Sequence, residues 1–199
     1  MGRPRKDGAP SATERMESVF FEQLRTTPFQ RITVSTIVEA AEVNRNSFYY
    51  HYADLEDLAH SAVSNLLIPD LARLVAGGFG LDSGPVGKVL EDAALDNRFR
   101  RLLTVAGPNS TAELRGILKD AVMSLWLDTF EIGPGDLSSS DRATIHYALG
   151  GILELVSTID AQDDLLAVIG EMRMLPILQS GARIAMETLN AAAARVHRG

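Results

Sequence analysis

Directly behind Asn44 the chain places Arg45, Asn46 and Ser47, then five ring-bearing residues in succession: Phe48, Tyr49, Tyr50, His51 and Tyr52. Arginine can donate to O6 and N7 of guanine at once, asparagine pairs with N6 and N7 of adenine, and serine suits either, so the triplet carries base-reading chemistry. Tyrosine hydroxyls and histidine N–H groups donate to phosphate oxygens, contacts that position a protein on a duplex without reading its sequence. The plainer reading of the aromatic run is a stripe that packs a small core. Phe48 and Tyr52, four apart on a helix, fit that reading. Three consecutive polar-tipped rings on so short a helix cannot all turn inward, so Tyr49, Tyr50 and His51 are expected outside, against nucleic acid.

Such a cluster acts only if a helix presents it. Asn44 is a good N-cap and opens a short helix whose first turn is Arg45–Ser47. Before it, Thr33 caps another short helix with Val34, Ile37, Val38 and Ala41 on one side. Two short helices joined by a tight turn cannot bury themselves and need a platform. The first helix supplies one: Ser11-Ala12-Thr13-Glu14 reads as a capping box, Met16, Val19, Phe20 and Leu24 recur at helical spacing, and Thr26-Thr27-Pro28 stops the pattern near Arg25. Asp54-Leu55-Glu56-Asp57 opens a fourth helix, and Leu58, Ala62, Leu66 and Leu67 carry it to Pro69 or beyond, ending near Gly77-Gly78. Residues 77–87, rich in glycine, read as a linker. Helices are then expected over 86–96, 98–106, 111–130, 140–159, 163–174 and 176–194, and no strand. The fold class is therefore all-α, with a flexible basic arm over 1–10, a three-helix helix-turn-helix domain over 11–66, and a helical ligand-binding and dimerisation domain over 67–199.

Residues 33–52, TVSTIVEAAEVNRNSFYYHY, resemble the signature of the tetracycline-repressor (TetR) family, a T-V-x-x-I-A-x-x-A-G-V-S-x-x-x-F-Y-x-H-F string spanning its second and third helices. Helix one and the Asp54-Leu55-Glu56-Asp57-Leu58 opening extend the resemblance over about residues 11–66; the remainder matches in length and helical character. The resemblance implies an N-terminal DNA-binding domain, a helical domain that dimerises, and often a small-molecule inducer, with Tyr49 and His51 at phosphate-contacting positions. Thr33 and Asn44, which open the two short helices, are assigned to the interface as well. Two positions depart from the pattern. Glu42 stands where the family has glycine, which in a left-handed turn costs roughly 1 kcal/mol. Leu55 stands where a phosphate-holding lysine is common, leaving the anchoring to the amides of helix four.

Gly2-Arg3-Pro4-Arg5-Lys6 resembles the core of an AT-hook, whose arginines enter a narrow A·T-rich minor groove, so Arg3 and Arg5 join the expected contacts. The net charge of −7 argues against a protein that simply coats nucleic acid, but its distribution is uneven. Up to Tyr52 there are seven basic and six acidic residues; beyond it there are twelve and twenty, so only one end suits DNA.

In the body, Ala148, Gly150 and Gly151 on one expected helix and Gly181, Ala182 and Ala185 on the last give two small-residue faces, candidates for a homodimeric four-helix interface. Met123, Trp126, Leu127 and Phe130 form an apolar stripe, joined by Phe99 and Leu103 from the preceding helix and by the polar tip of Tyr147. They form either core or a pocket for a small apolar ligand. Zero cysteines remove disulfides, thiolate zinc and a cysteine nucleophile. The chain has no phosphate-binding glycine loop, His-Glu-x-x-His or nucleophile motif, so no enzyme activity, cofactor or metal is expected. No run approaches the ~18 apolar residues of a membrane span, and Met1–Lys6 is followed by no apolar segment, which points to the cytoplasm. The expectation is a regulator of operator DNA, a repressor released by its ligand. The alternative within the same fold is a co-activator or DNA-organising protein controlled by a protein partner, without an inducer.

Overall fold

A computed structural model describes residues 10–67, 93–159, 164, 167, 170–171 and 174–198, and the side chains of 93–95 are not described. The architecture is all-α, and the described residues contain no strand. The helices are α1 (Ala12–Thr26), α2 (Val34–Ala40), α3 (Arg45–His51), α4 (Leu55–Leu66), α5 (Ala93–Ala106), α6 (Ala112–Thr129), α7 (Ser139–Val156) and α8 (Pro176–Val196). Short 3-10 turns at Phe29–Arg31 and Pro134–Asp136 were not anticipated from the sequence.

Most helix starts are set by local side chains. Ser11 accepts from the Glu14 amide at 3.2 Å while the Glu14 carboxylate accepts from the Ser11 amide at 2.6 Å, closing the expected capping box. At α4 the Asp54 cap accepts from the Asp57 amide and the Asp57 carboxylate accepts from the amide of the preceding residue, Ala53, both at 2.8 Å. At α7 the cap is Ser138, paired with Asp141. Bonds from the Ser138 hydroxyl and amide, with Arg195 of α8 at 2.6 Å, hold the Asp141 carboxyl below its ordinary range and tie the two last helices together.

Two expectations need correction. The helices foreseen over 86–96 and 98–106 are not separated at residue 97, because α5 runs unbroken from Ala93 and an Asp96–Arg100 ion pair at 2.9 Å spans the supposed break. Helix α4 stops at Leu66, with Leu67 already extended, well short of Gly77. Pro69 has no amide to offer the Asn65 carbonyl, so continuing would leave that acceptor empty. The arm over 1–9 and the linker over 77–87 lie outside the described residues, as does most of the helix expected over 163–174.

One apolar core joins these helices. It takes Met16, Phe20 and Leu24 from α1, Phe48 from α3, Leu58 and Ala62 from α4, Phe99 and Leu103 from α5, Trp126 from α6, Ile145 and Leu149 from α7 and Leu189 from α8. Among the described residues no helix is long and apolar enough to cross a membrane.

Candidate nucleic-acid interface

The geometry of α2 and α3 follows from how each end is satisfied. Thr33 accepts from the Thr36 amide and Thr36 Oγ1 accepts from the Thr33 amide, both at 3.2 Å, so the cap read at Thr33 is reciprocal. At the other end the Val43 amide donates to Val38 and the Glu42 amide to Glu39, the paired bonds of a Schellman turn. That turn needs a left-handed residue, and Glu42 supplies it at φ 53°, as its place in the family pattern implied. Val43 then leads straight to Asn44, whose Oδ1 accepts from the Ser47 amide at 2.7 Å and starts α3.

Helix α3 is divided cleanly. Phe48 is fully buried and Tyr52 is 5% exposed, their rings 5.6 Å apart. Arg45, Asn46 and His51 are exposed, Ser47 is half-buried, and Tyr49 and Tyr50 are 52% and 83% exposed. Thr33 and Asn44 are exposed too, with their side-chain oxygens engaged as caps. The residues assigned to DNA contact from Thr33 to His51 thus lie on α2, its turn and α3, apart from Ser47 all of them open. Arg3 and Arg5 lie outside the described residues.

Sequence reasoning missed what holds this end together. Glu17 Oε1 accepts from Asn65 at 2.8 Å, Tyr52 at 3.3 Å and Ser61 at 3.4 Å, joining α1, α3 and α4. Burial, and then the Glu17 charge, push the Tyr52 hydroxyl up to about 12, so it stays a donor. The start of α4 also differs from expectation. The Ala53 and Asp57 amides are bonded to carboxylates, and Glu56 and Asp57 are exposed beside them.

In the body, Phe99, Leu103, Trp126 and Leu127 are buried, while Met123 and Phe130 pack half-buried against the core. Tyr147 does not belong with them: it is 85% exposed, because it stands two residues, about 200° of helix rotation, from each of the buried Ile145 and Leu149. Leu103 lines a cleft of about 270 Å³ where the C-terminal ends of α1, α5 and α7 meet. Trp126 is 1% exposed and its Nε1 donor has no hydrogen-bond acceptor. The small-residue faces also divide. Ala148, Ala182 and Ala185 are buried within the chain, whereas Gly151 is exposed, Gly150 and Gly181 are half-buried, and a Cβ on any of the three would meet nothing within 4 Å.

Among the described residues no group of three or more metal-ligating side chains is placed to hold an ion. No family model matches the chain, and no curated protein matches it.

Proposed function

We propose that this chain is a homodimeric, sequence-specific transcriptional regulator of the tetracycline-repressor type, in which α2, its turn and α3 form a helix-turn-helix and α3 reads the major groove. The division of α3 carries this reading. Its inner side is shut in the core, and the side left open is the one with base and phosphate chemistry. A tyrosine left 83% exposed at position 50 forgoes burial worth about 25 cal/mol per Å² of apolar surface, which a contact elsewhere would recover. The open glycines of α7 and α8, with the exposed Tyr147, Ile177 and Ile184 beside them, support a dimer through these helices. Release from DNA in the cytoplasm by a small apolar ligand bound in the body is part of this reading and rests on the resemblance, since Phe99, Leu103, Trp126 and Leu127 are buried in the core.

The test is selection from a random duplex library with the purified protein, followed by titration of the enriched sequence at several salt concentrations. The expected result is a motif with two related half-sites and an affinity falling linearly with salt on logarithmic axes. Failure to enrich any motif would overturn the reading.

A further inference from the structure

The chain carries 26 acidic residues against 19 basic ones, but a trough between α1 and α5 inverts that balance. Arg25 of α1 and Arg100 and Arg101 of α5 line a space of about 150 Å³, and Glu22 is the one carboxylate among its described lining residues. Arg100 already holds Asp96 at 2.9 Å. Among the described residues neither Arg25 nor Arg101 has a carboxylate within ion-pair distance. Arg101 is half-buried: it donates to Ser18 Oγ at 3.0 Å, and its guanidinium lies 5.0 Å from the centre of the Phe21 ring. Burial weakens its hold on the proton, and Glu17 and Glu22 offset this only from beyond ion-pair range. A cation drawn this far out of water without a counter-ion is destabilising, and a bound anion would relieve it. The Ser18 hydroxyl and the Asn97 amide, one on each wall, can donate to the same anion.

Arg25 and Thr104 also line the cleft of about 270 Å³ at the C-terminal ends of α1, α5 and α7, so trough and cleft adjoin. In the cleft the polar groups are spent on the protein itself. Asn109 donates to the Arg25 carbonyl at 2.9 Å, and the Ser157 and Thr158 hydroxyls donate to the carbonyls of Glu154 and Leu155, both at 2.7 Å. With these helix ends capped, the cleft has little to offer a charge, and Leu24, Leu103 and Ile159 give it an apolar floor.

We infer that trough and cleft form one binding site for a small organic phosphomonoester, with its head group between Arg25 and Arg101 and its apolar body over Leu24, Leu103 and Ile159. The charges match. A phosphomonoester carries close to two negative charges above about pH 7, against two guanidiniums without counter-ions, whereas a carboxylate would neutralise only one. None of these residues belongs to α2 or α3, so the inference stands apart from the reading of α3.

The test is calorimetric titration of the full-length protein, in phosphate-free buffer, with phenyl phosphate, benzoate and inorganic phosphate. Phenyl phosphate should bind with submillimolar affinity, and the other two about tenfold more weakly or worse. Arg25→Gln and Arg101→Met should each weaken phenyl phosphate about tenfold, the loss of a charge-assisted hydrogen bond, while Arg45→Ala on α3 leaves it unchanged. No binding of phenyl phosphate at millimolar concentration overturns the inference, as does binding that both charge variants retain or that Arg45→Ala abolishes. Benzoate binding as tightly as phenyl phosphate overturns the phosphate head group, and inorganic phosphate binding as tightly overturns the apolar half of the site. Should Arg101→Met fail to fold, Arg25→Gln, at an exposed position, carries the comparison alone.

Discussion

Gln23 and Thr36, thirteen residues apart, exchange two hydrogen bonds: Thr36 Oγ1 donates to Gln23 Oε1 at 2.9 Å, and Gln23 Nε2 donates to the Thr36 carbonyl at 3.1 Å. The same Thr36 closes the cap of α2, so one residue both starts the helix and seats it on α1. Gln23→Leu should cost about 1 kcal/mol in stability, the net worth of such bonds at the surface. Binding to the selected duplex should weaken equally on all sequences, since no base-reading group is lost. Denaturant melts and affinities on matched and mismatched duplexes measure both.

The divided α3 separates two kinds of loss. Arg45→Ala and Asn46→Ala should each relax preference at one position of the site, by about 1–3 kcal/mol per bidentate contact removed. Tyr49→Phe and His51→Ala should weaken binding uniformly and leave the circular dichroism spectrum unchanged, because both side chains are exposed. Unaltered base preference in both members of the first pair would move the reading helix elsewhere.

Tyr52 gives a pH signature. Its folded-state value, about 12, lies above the unfolded value near 10, so the fold holds this proton more tightly than the unfolded chain does. Its contribution to stability is fully present below about pH 10 and is lost as pH rises toward 12. Tyr52→Phe should remove that part of the alkaline decline, and urea melts of the two proteins between pH 9 and 12 measure it.

The features legible in the sequence are those whose cause lies within a few residues. Ser11, Thr33, Asn44 and Asp54 each accept from an amide three residues on, and each is legible as a cap from its residue type just ahead of a helical pattern. Phe48 and Tyr52 were placed inside by their i, i+4 spacing. What escaped depends on partners far along the chain. Glu17 meets residues 35 to 48 positions away and Asn109 reaches back 84, and no local pattern marks either. Tyr147 was misplaced because an apolar helix with small residues offers two plausible inner faces, and only packing against α8 decides between them.

Glu42 holds a left-handed conformation that glycine adopts without strain, and Glu131 at φ 55° does the same in the Schellman turn that ends α6. Glu42→Gly should stabilise the chain by about 1 kcal/mol, the cost of the left-handed backbone, less part of the entropy that glycine adds to the unfolded state. Glu131→Gly is the internal control, since the backbone argument is the same at a site remote from α3. A gain at 131 without one at 42 would mean that the Glu42 side chain contributes contacts that offset its strain. Denaturation midpoints decide it.

The proposed dimer can be broken without harming the fold, and the open glycines are the reason. A Cβ on Gly150 or Gly181 meets nothing within 4 Å in the single chain, and replacing a helical glycine by leucine gains roughly 0.8 kcal/mol in helix propensity. Gly150→Leu and Gly181→Leu should therefore leave each protomer as stable as before or more so. Across a two-fold interface the same side chains arrive in pairs at the closest approach of the helices, where overpacking costs about 1–3 kcal/mol each. The expected outcome is a monomer of undiminished thermal stability by sedimentation and calorimetry. Two half-sites can then no longer be engaged at once, so affinity for the selected duplex should collapse toward that of a single half-site. A dimer that survives both substitutions with unchanged sedimentation would place the interface on another face, and the pairing of α7 with α8 across the axis would have to be withdrawn.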